Sequence, residues 1–502
     1  MARWYVLVSI DIGQPLRFST DTIHVTRADS SDVLNFVGGL LEVSPPVLGD
    51  VAANCSFTIP RNLLDVTALR AQGVRLGGAP ATVDLWREGD DYSLRIPLLV
   101  GVIAPSSEHR DIDRTSFEII ANESAIDPPF PPYQMLRTSP AFANMSESET
   151  GKTMIVAYGN LCRDVPLTPL RKGFTPTDTS IRLLVSGMRL GASSIAVRPN
   201  GSVALQWRGT VAYQPDPMSG AEYAYVDAQA SQDGNIGASS FVADIVGHSG
   251  LTGSPITALG DMLVHALLTY GNFPADRIDM DRISRAVAML NGFDIASVFG
   301  GTPGTTLIQT LQGRFHGNFP VEIGWLGGRI GFDYLGWDDS APAIQNLRIG
   351  VPGAELLGRV GTTSLGPDTL YSSFAVQYDR DTVGKRFRSV ITADPSNSEL
   401  CARSASRWGS VVKYQTLQVP DTNSEQGARA ILEWLVSEHA VQRTTMRYVA
   451  ALDTVAKLPR MEPYLITDAE FGFSAERFKL TTIAPRLDGL AELTFVSFGE
   501  AP

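Results

Sequence analysis

The chain has 502 residues, 44% of them hydrophobic and 19% charged, which is ordinary for a folded globular protein. This length is too great for one core, so about three or four domains are expected. The formal net charge of −12 argues against binding nucleic acid through its phosphates, because such binding requires a basic surface. The negative charge does not exclude that DNA passes close to the protein without being bound.

The cysteines and the N-terminus exclude further classes of protein. Cys55, Cys162 and Cys401 lie far apart, are odd in number and form no CxxC pair, so they predict buried free thiols rather than disulfides or a metal site. A signal peptide is not expected, because Asp11 interrupts a short apolar run. No apolar run approaches the roughly 20 residues of a membrane helix, so membrane insertion is not expected.

Residues 1–126 predict an N-terminal β domain, because short alternating runs of apolar and polar residues follow one another. The polar turn Glu88–Asp91 lies between two such runs and predicts a hairpin. The run NLLDVTALRA predicts one short helix that begins at Asn62. Residues 127–152 contain four closely spaced prolines and a polar run, and they predict a linker or arm with little core of its own.

Residues 153–245 predict a small antiparallel β domain, with a hairpin turn at Asn200–Gly201. Residues 246–337 predict an α/β insert in which capped helices precede a hairpin with the turn Gly327–Gly328. The helix boundaries follow from capping residues and helical spacing of apolar residues. They place the helices from Ser254 to Gly271, from about Met280 to Asn291, and from Thr302–Pro303 to Gly317.

Residues 338–502 predict a C-terminal β domain with one helix, which runs from about Asn423 to Ala440 and is capped by Asn423 or Ser424. Nothing repeats at a fixed period, which argues against a solenoid. The predicted fold is mainly β with an α/β insert, built from several domains.

Two short motifs resemble catalytic or nucleotide-binding loops and fail on spacing. The GKT run at Gly151–Thr153 requires a glycine where Ser146 stands, so Lys152 is expected to be a linker residue. The run GHSGL requires a glycine where Leu251 stands, so it is expected to be a glycine-rich turn rather than a nucleophile elbow.

The metal-binding patterns fail as well. No two of the six histidines have the i, i+4 spacing of a helical zinc pair, and His265 and His316 are expected to be surface or satisfied core residues, with metal binding a minor alternative. Asp279 and Asp281 lack the glycine and glutamate of a calcium loop and predict helix capping and dipole stabilisation. No catalytic, cofactor-binding or metal-binding residue is therefore assigned, and no cofactor is expected.

Three passages in this order resemble the baseplate hub, or tail-tip structural, proteins of long-tailed bacteriophages and of gene-transfer particles. They are LLVGVIAPSSEHRDIDRTSFEII in the first β domain, MIVAYGNLCRDVPLTPL at the start of the second, and FPADRIDMDRISRAVAML in the insert. More weakly, MRYVAALDTVAKLPRMEPYLITD is similar to their final domain. No lysozyme or peptidase module is recognisable.

The resemblance implies tube-like β-barrel or sandwich modules and a ring, with a tube-like or ring-like role for residues 1–126. Such hubs are typically homotrimers in which two tube-like domains per subunit build a pseudo-sixfold ring at the tail tip of the virion. The expected partners are distal tail or tail-tube proteins, the tape-measure protein, and tip or fibre proteins, with assembly in the host cytoplasm. DNA would be present only in transit, which suits an acidic chain.

Two alternatives to this non-enzymatic role remain at the level of sequence. One is a β-rich cell-wall or polysaccharide-degrading enzyme, suggested by Trp207, Trp325 and Trp337 near glycine-rich turns. The other is a receptor-binding tail module that uses exposed aromatic residues on loops.

Overall fold

A computed structural model gives the fold of the chain. It describes residues 3–26, 33–44, 54–105, 107–111, 113–121, 127–170, 180–199, 207–229, 240–249, 254–301, 304–364, 370–381, 385–408, 414–486 and 488–499. Within these ranges the protein is mainly β and contains several sheets, as the sequence predicts. The predicted hairpin turn at Asn200–Gly201 lies outside the described residues.

The N-terminal module is one ten-stranded sheet, in which β9 pairs with β10 beside the path β3-β4-β2-β1-β7-β8-β10-β6-β5. Its elements are β1 (Trp4–Asp11), β2 (Pro15–Ser19), β3 (Ile23–Thr26), β4 (Val33–Gly38), β5 (Glu42–Ser44), β6 (Asn54–Pro60), α1 (Val66–Ala71), β7 (Pro80–Arg87), β8 (Ile96–Ile103), β9 (His109–Arg110) and β10 (Arg114–Ala121). Helix α1 is capped by Asp65, whose carboxylate accepts from the N–H groups of Thr67 and Ala68, so the predicted start at Asn62 is wrong.

The predicted hairpin between β7 and β8 exists, but its connection is longer than Glu88–Asp91. The register pairs Leu85 with Ile96, and Tyr92–Leu94 form a short 3₁₀ turn that is capped by Asp91. Because Asp91 stabilises this turn by a local hydrogen bond, β8 begins only at Ile96.

Residues 127–152 are packed against the rest of the chain. Phe130 is 1% exposed and lies 5.3 Å, centroid to centroid, from both Tyr270 and Phe299. The Asp127 carboxylate accepts a hydrogen bond from Ile308 N at 3.0 Å, at the start of a helix of the insert. Apolar residues scattered among the prolines supply the packing that the composition conceals.

The second module is a closed barrel with the order β12-β13-β16-β15-β14-β17, preceded by a strand that pairs with the insert. Its strands are β11 (Thr153–Gly159), β12 (Cys162–Pro169), β13 (Ser180–Ser186), β14 (Ser194–Pro199), β15 (Trp207–Pro215), β16 (Glu222–Gln229) and β17 (Phe241–Ile245). The barrel pairings are antiparallel, and each of the six described barrel strands pairs with two neighbours.

The insert contains three helices, a strand that pairs with β11, and a hairpin. Its elements are α2 (Leu259–Tyr270), α3 (Met280–Leu290), β18 (Ala296–Gly301), α4 (Leu307–Phe315), β19 (Val321–Leu326) and β20 (Arg329–Tyr334). The predicted bounds of α3 and the hairpin turn Gly327–Gly328 are confirmed. No helix among the described residues is long and apolar enough to cross a membrane.

Two predicted helix starts in the insert are wrong for the same reason. Before α2, Ile256 bonds in extended conformation to His248 O and Gly159 N, both at 2.9 Å. Before α4, Thr305 O accepts from Phe130 N at 3.0 Å. Because these backbone groups bond to neighbouring segments, α2 begins after Ala258 and α4 after Thr306, rather than at Ser254 and Thr302.

The C-terminal residues form two separate sheets, of order β21-β27-β28-β29-β26-β22 and β24-β23-β25. Their elements are β21 (Asn346–Arg348), β22 (Leu356–Ser364), β23 (Ser373–Asp381), β24 (Arg386–Ala393), α5 (Glu399–Trp408), β25 (Tyr414–Gln418), α6 (Glu425–His439), β26 (Thr444–Ala451), α7 (Leu452–Val455), β27 (Pro463–Asp468), β28 (Phe473–Pro485) and β29 (Leu490–Ser497). Ser424 caps α6, as predicted.

The prediction of one C-terminal helix is wrong, because α5 and α7 are also present. The buried side of α5 includes Cys401 and Ser404, so small and polar residues replace the apolar repeat that would reveal it. Helix α7 has four residues, too few to show a period.

Packing joins modules that are far apart in the sequence. One hydrophobic core contains residues of the N-terminal sheet, such as Phe57, together with Tyr464 and Phe495 of the six-stranded sheet. A second core joins the insert to the three-stranded sheet and α6 through residues such as Phe315 and Ile431. The first and last β modules are therefore packed directly against each other.

The packing of residues 127–152 can be tested at Phe130. We expect Phe130→Ala to cost about 3–5 kcal/mol of unfolding free energy, because a large buried ring is lost and a cavity remains. Chemical denaturation followed by tryptophan fluorescence measures this change. The control Tyr414→Ala removes a ring that is 56% exposed and should have little effect. Equal stability of the two variants would contradict the packing of this segment.

Candidate functional site

The tip of the β19–β20 hairpin is pressed against the N-terminal sheet. Gly327 and Gly328 have φ of 57° and 76°, the left-handed region that a two-residue hairpin turn requires. A Cβ atom on Gly327 would lie 2.4 Å from Pro97 O, and one on Gly328 would lie 2.3 Å from the Val100 side chain. Both glycines are therefore needed for the turn and for its close approach to β8.

A buried arginine ties the same hairpin to α3. Asp279 caps α3 by accepting from Arg282 N at 3.1 Å, as the sequence predicts. The Arg282 side chain, 2% exposed, donates from Nε to Asp333 Oδ2 and from Nη1 to Gly324 O, each at 2.8 Å. One guanidinium thus satisfies groups on both strands of the hairpin.

A second arginine, Arg460, connects the charged residues of the hairpin to the C-terminal six-stranded sheet. Arg460 lies 3.9 Å from Asp333 and 3.8 Å from Glu322 of the hairpin. Burial lowers the pKa of Arg460 and raises the pKa of Glu322, although each opposes the shift in the other. Since breaking a buried pair leaves an uncompensated charge, these contacts favour one arrangement of the modules.

Trp337 lies between two buried cations at the end of the insert. The Arg443 guanidinium is 3.5 Å from the ring centroid and Lys479 Nζ is 4.2 Å from it. Arg443 donates to Ser497 O at 3.0 Å, and Lys479 donates to Leu335 O at 3.0 Å. Burial lowers the pKa of Lys479 to about 8 and that of Arg443 to about 10. The tryptophan therefore joins the insert to the six-stranded sheet.

Charged residues also join the barrel to the three-stranded sheet. Arg198 donates to Asp164 at 2.7 Å and to Asp244 at 2.6 Å, and Arg388 of β24 donates to Asp164 at 2.7 Å. Burial raises the pKa of Asp244, but the hydrogen bonds from Arg198 and from Asp164 N, together with the charges of Arg198 and Arg163, outweigh burial, so the pKa is lowered. The network therefore stabilises the charged form of Asp244 and links the barrel to β24.

An imidazole pair lies where the barrel meets α2. The rings of His248 and His265 are 4.3 Å apart, and the Tyr158 hydroxyl is 2.9 Å from His265 Nδ1. Burial and then the neighbouring His248 lower the pKa of His265 to about 4. Burial also lowers the pKa of His248. Both pKa values therefore lie below 6.5, which favours the neutral form of both rings at pH 7.

The other residues that the sequence offered as site candidates make local structural contacts or are buried. Lys152 Nζ bonds to Glu149 at 2.9 Å, and Asp281 lies in the first turn of α3. The three cysteines are buried free thiols, as predicted, and burial raises the pKa of Cys55 and Cys162 to about 12. In the part of the chain that the structure describes, no three His, Cys, Asp or Glu side chains are grouped so that they could hold a metal ion.

The candidate functional site is thus a set of junctions between modules, and the sequence did not identify it. Arg282 and Asp333 are 51 positions apart, and Arg198 and Asp244 are 46 apart, so no local pattern links the partners. The nearest signal of these junctions in the sequence is Arg282, a charged residue in the first turn of the amphipathic helix α3. A cavity of about 140 Å³ lies at the junction formed by Arg282, Asp333 and Arg460. Its lining contains positively and negatively charged residues, including Arg285, Glu462 and Lys479.

Solved structures to which the chain is similar include three tail or virion proteins. The tail protein from Neisseria meningitidis MC58 has a TM-score of 0.42 and 10% identity, with 99% of this chain and 97% of that chain covered. A chain of the virion of a native gene transfer agent particle has a TM-score of 0.45 and 14% identity, with 71% and 87% covered. The prophage MuSo2 43 kDa tail protein from Shewanella oneidensis has a TM-score of 0.36 and 9% identity, with 98% of each chain covered.

Two of these structures are tail proteins, and one belongs to the virion of a gene transfer agent particle. Their TM-scores and identities are low, so the likeness carries no argument about the activity or partners of this chain. No protein-family model matches the chain, and no curated protein matches it.

The close approach of the hairpin tip can be tested with matched glycine variants. We expect Gly327→Ala to lower the unfolding free energy by about 2–4 kcal/mol, because the new methyl group meets Pro97 O. Gly73→Ala is the control, since Gly73 has φ of 81° but no crowding atom, and it should cost about 1 kcal/mol. If the two variants unfold at the same denaturant concentration, the hairpin does not press on β8.

The histidine pair predicts a pH dependence of stability. The folded pKa of His265 is about 4, below its ordinary value of 6.5, so the unfolded chain binds more protons between these values. Stability should therefore fall as pH drops from about 6.5 to about 4. The loss should be roughly 1–2 kcal/mol, because solvent screens this partly exposed group.

Urea denaturation of the protein and of His265→Gln across this pH range measures the effect. The glutamine does not titrate, so its variant should lose less stability on acidification. Parallel losses in both proteins would exclude His265 as the source.

Proposed function

We propose that this chain is a structural subunit of a bacteriophage tail tip or baseplate hub, located in the virion tail, and that it is not an enzyme. In this role it forms a ring that joins the tail tube to tip or fibre proteins and lets DNA pass. The sequence resemblance motivates the proposal, and the described structure is consistent with it in three respects.

The observation that carries the proposal is the shared core of the first and last β modules. The resemblance implies two tube-like β domains per subunit, and such domains can build a ring together only if they lie side by side. Here the N-terminal sheet and the six-stranded sheet pack around one core although they lie at opposite ends of the sequence. A trimer would then present six β modules.

The junctions and the net charge support the same role. A ring that transmits load through its subunits needs modules that do not slide, and the buried cluster around Arg282 and Asp333 opposes such movement. The formal charge of −12 suits a passage that must not retain DNA. The division into residues 1–126, 127–152, 153–245, 246–337 and 338–502 remains part of this proposal.

Two of the three tryptophans that suggested an enzyme are packed against other side chains of the protein. Trp325 is 5% exposed and packs edge-on against Phe273, and Trp337 is covered by Arg443 and Lys479. Neither ring offers a platform to a sugar. The side chain of Trp207 lies outside the described residues.

Electron microscopy of the purified protein, alone and with its neighbouring tail-tube protein, tests the proposal. We expect threefold particles with a central opening, with two β modules per subunit around it. A protein that stays monomeric and has no affinity for tail-tube proteins would contradict the hub role. Zymography on cell wall and polysaccharides provides the second arm, and clear turnover would favour an enzyme.

A further inference from the structure

Strand β24 is a long, regular sheet edge. It pairs with β23 from Phe374↔Ala393 to Asp381↔Arg386 without a bulge. No strand among the described residues pairs with its other side. Its eight residues extend over roughly 27 Å, and an open edge of this kind is a template for another strand.

In the described sheets of three or more strands, the other open edges are disturbed or short. Strand β22 has nine residues, but two register shifts against β26 and two glycines disturb it. Strands β3, β5 and β21 have four residues or fewer. Strand β25 has five residues. By contrast, β24 contains no proline, glycine or lysine, the residues that commonly protect an edge.

The outward positions of β24 alternate regularly. Arg386, Arg388, Val390 and Thr392 are exposed, with 79% of the Arg386 side chain and 56% of Val390 accessible to solvent. The Thr392 carbonyl accepts from the Asn397 side chain at 3.3 Å, which indicates that these even-numbered positions direct their backbone groups away from β23. Asp394 N also donates to Asn397 Oδ1 at 2.8 Å, so the Asn397 side chain covers this end of the edge. An incoming strand would meet the backbone groups of Arg388 and Val390 and the exposed side chains.

The edge is complementary to itself. If a second β24 lies antiparallel with Val390 opposite Val390, Arg388 is opposite Thr392 and Arg386 is opposite Asp394. Opposite charges then meet at both ends and an apolar contact lies on the axis, and cross-strand pairs of both kinds are favourable. Arg388 does not disturb this register, because it is bound to Asp164 at 2.7 Å.

We propose that β24 pairs with β24 of a second copy of this chain about a twofold axis through Val390. The two three-stranded sheets then become one six-stranded sheet. A contact made by one strand from each chain buries less than a standard interface of about 1,600 Å², so the dimer is weak and reversible.

This inference does not rest on the proposed function. Neighbours in a cyclic ring are related by the ring axis and not by a twofold axis, so the β24 contact belongs to the chain outside such a ring. It would hold unassembled copies in pairs, and incorporation into a larger assembly would compete with it.

Exchanging the charges of Arg386 and Asp394 tests the proposed register. Dimerisation of the full chain is measured by sedimentation at concentrations between about 1 and 500 µM. Arg386→Asp places two carboxylates opposite each other, and Asp394→Arg places two guanidinium groups opposite each other. Each single variant should weaken dimerisation at least tenfold. The double variant Arg386→Asp/Asp394→Arg should restore it to near the original constant. Because Asp394 also accepts from Ser396 N, circular dichroism must show that each variant is folded.

Val390→Lys is a second test that leaves the turn at Asp394 intact. It places two ammonium groups on the axis and should abolish the dimer. Leu357→Lys is the matched control, since Leu357 is 52% exposed on the bulged β22, and it should leave the dimer unchanged. No dimer at the highest concentration, a dimer insensitive to Val390→Lys, or single defects that the double variant does not repair would each overturn the inference. A trimer that forms normally in all these variants would leave the hub proposal standing, so the failure of the β24 contact and the failure of the hub proposal can be told apart.

Discussion

The shared core of the first and last β modules is the constraint on which the rest of the structure depends. Apolar faces of the ten-stranded and six-stranded sheets exclude water from each other, so residues near both ends of the chain must meet. The chain must therefore leave this core to form the barrel and the insert, and it must then return to the core. Residues 127–152 leave it and are held by Phe130 and Asp127, which explains why a proline-rich segment is well packed.

Charged groups determine how the modules are oriented around that core. Hydrophobic contact alone is non-directional, whereas the Arg282–Asp333 pair and the arginines at Asp164 require particular distances and angles. Such buried pairs add little net stability because desolvation offsets their attraction. We interpret them as contacts that select one arrangement, and the crowded Gly327–Gly328 turn has the same effect through steric exclusion.

The sequence predicted elements whose signals are local. The cap at Asp279, the cap at Ser424 and the two-glycine hairpin follow from residues within four positions of one another. The starts at Ser254 and Thr302 failed because distant backbone groups compete for the same hydrogen bonds. Helix α5 was missed because its buried side is small and polar. The junctions could not be predicted, since their partners are brought together only by the packing of whole modules.

The same packing explains why β24 is the open edge. The barrel closes on itself, and the two outer sheets cover their long strands with each other or disturb them with bulges. The three-stranded sheet has α6 on one face, while the barrel contacts it through Arg388 and Asp379. These contacts stabilise the sheet without adding a strand to it. An edge that is already held in extended form by its neighbouring strand loses little conformational entropy when it pairs, which is the physical basis for expecting it to be an interface.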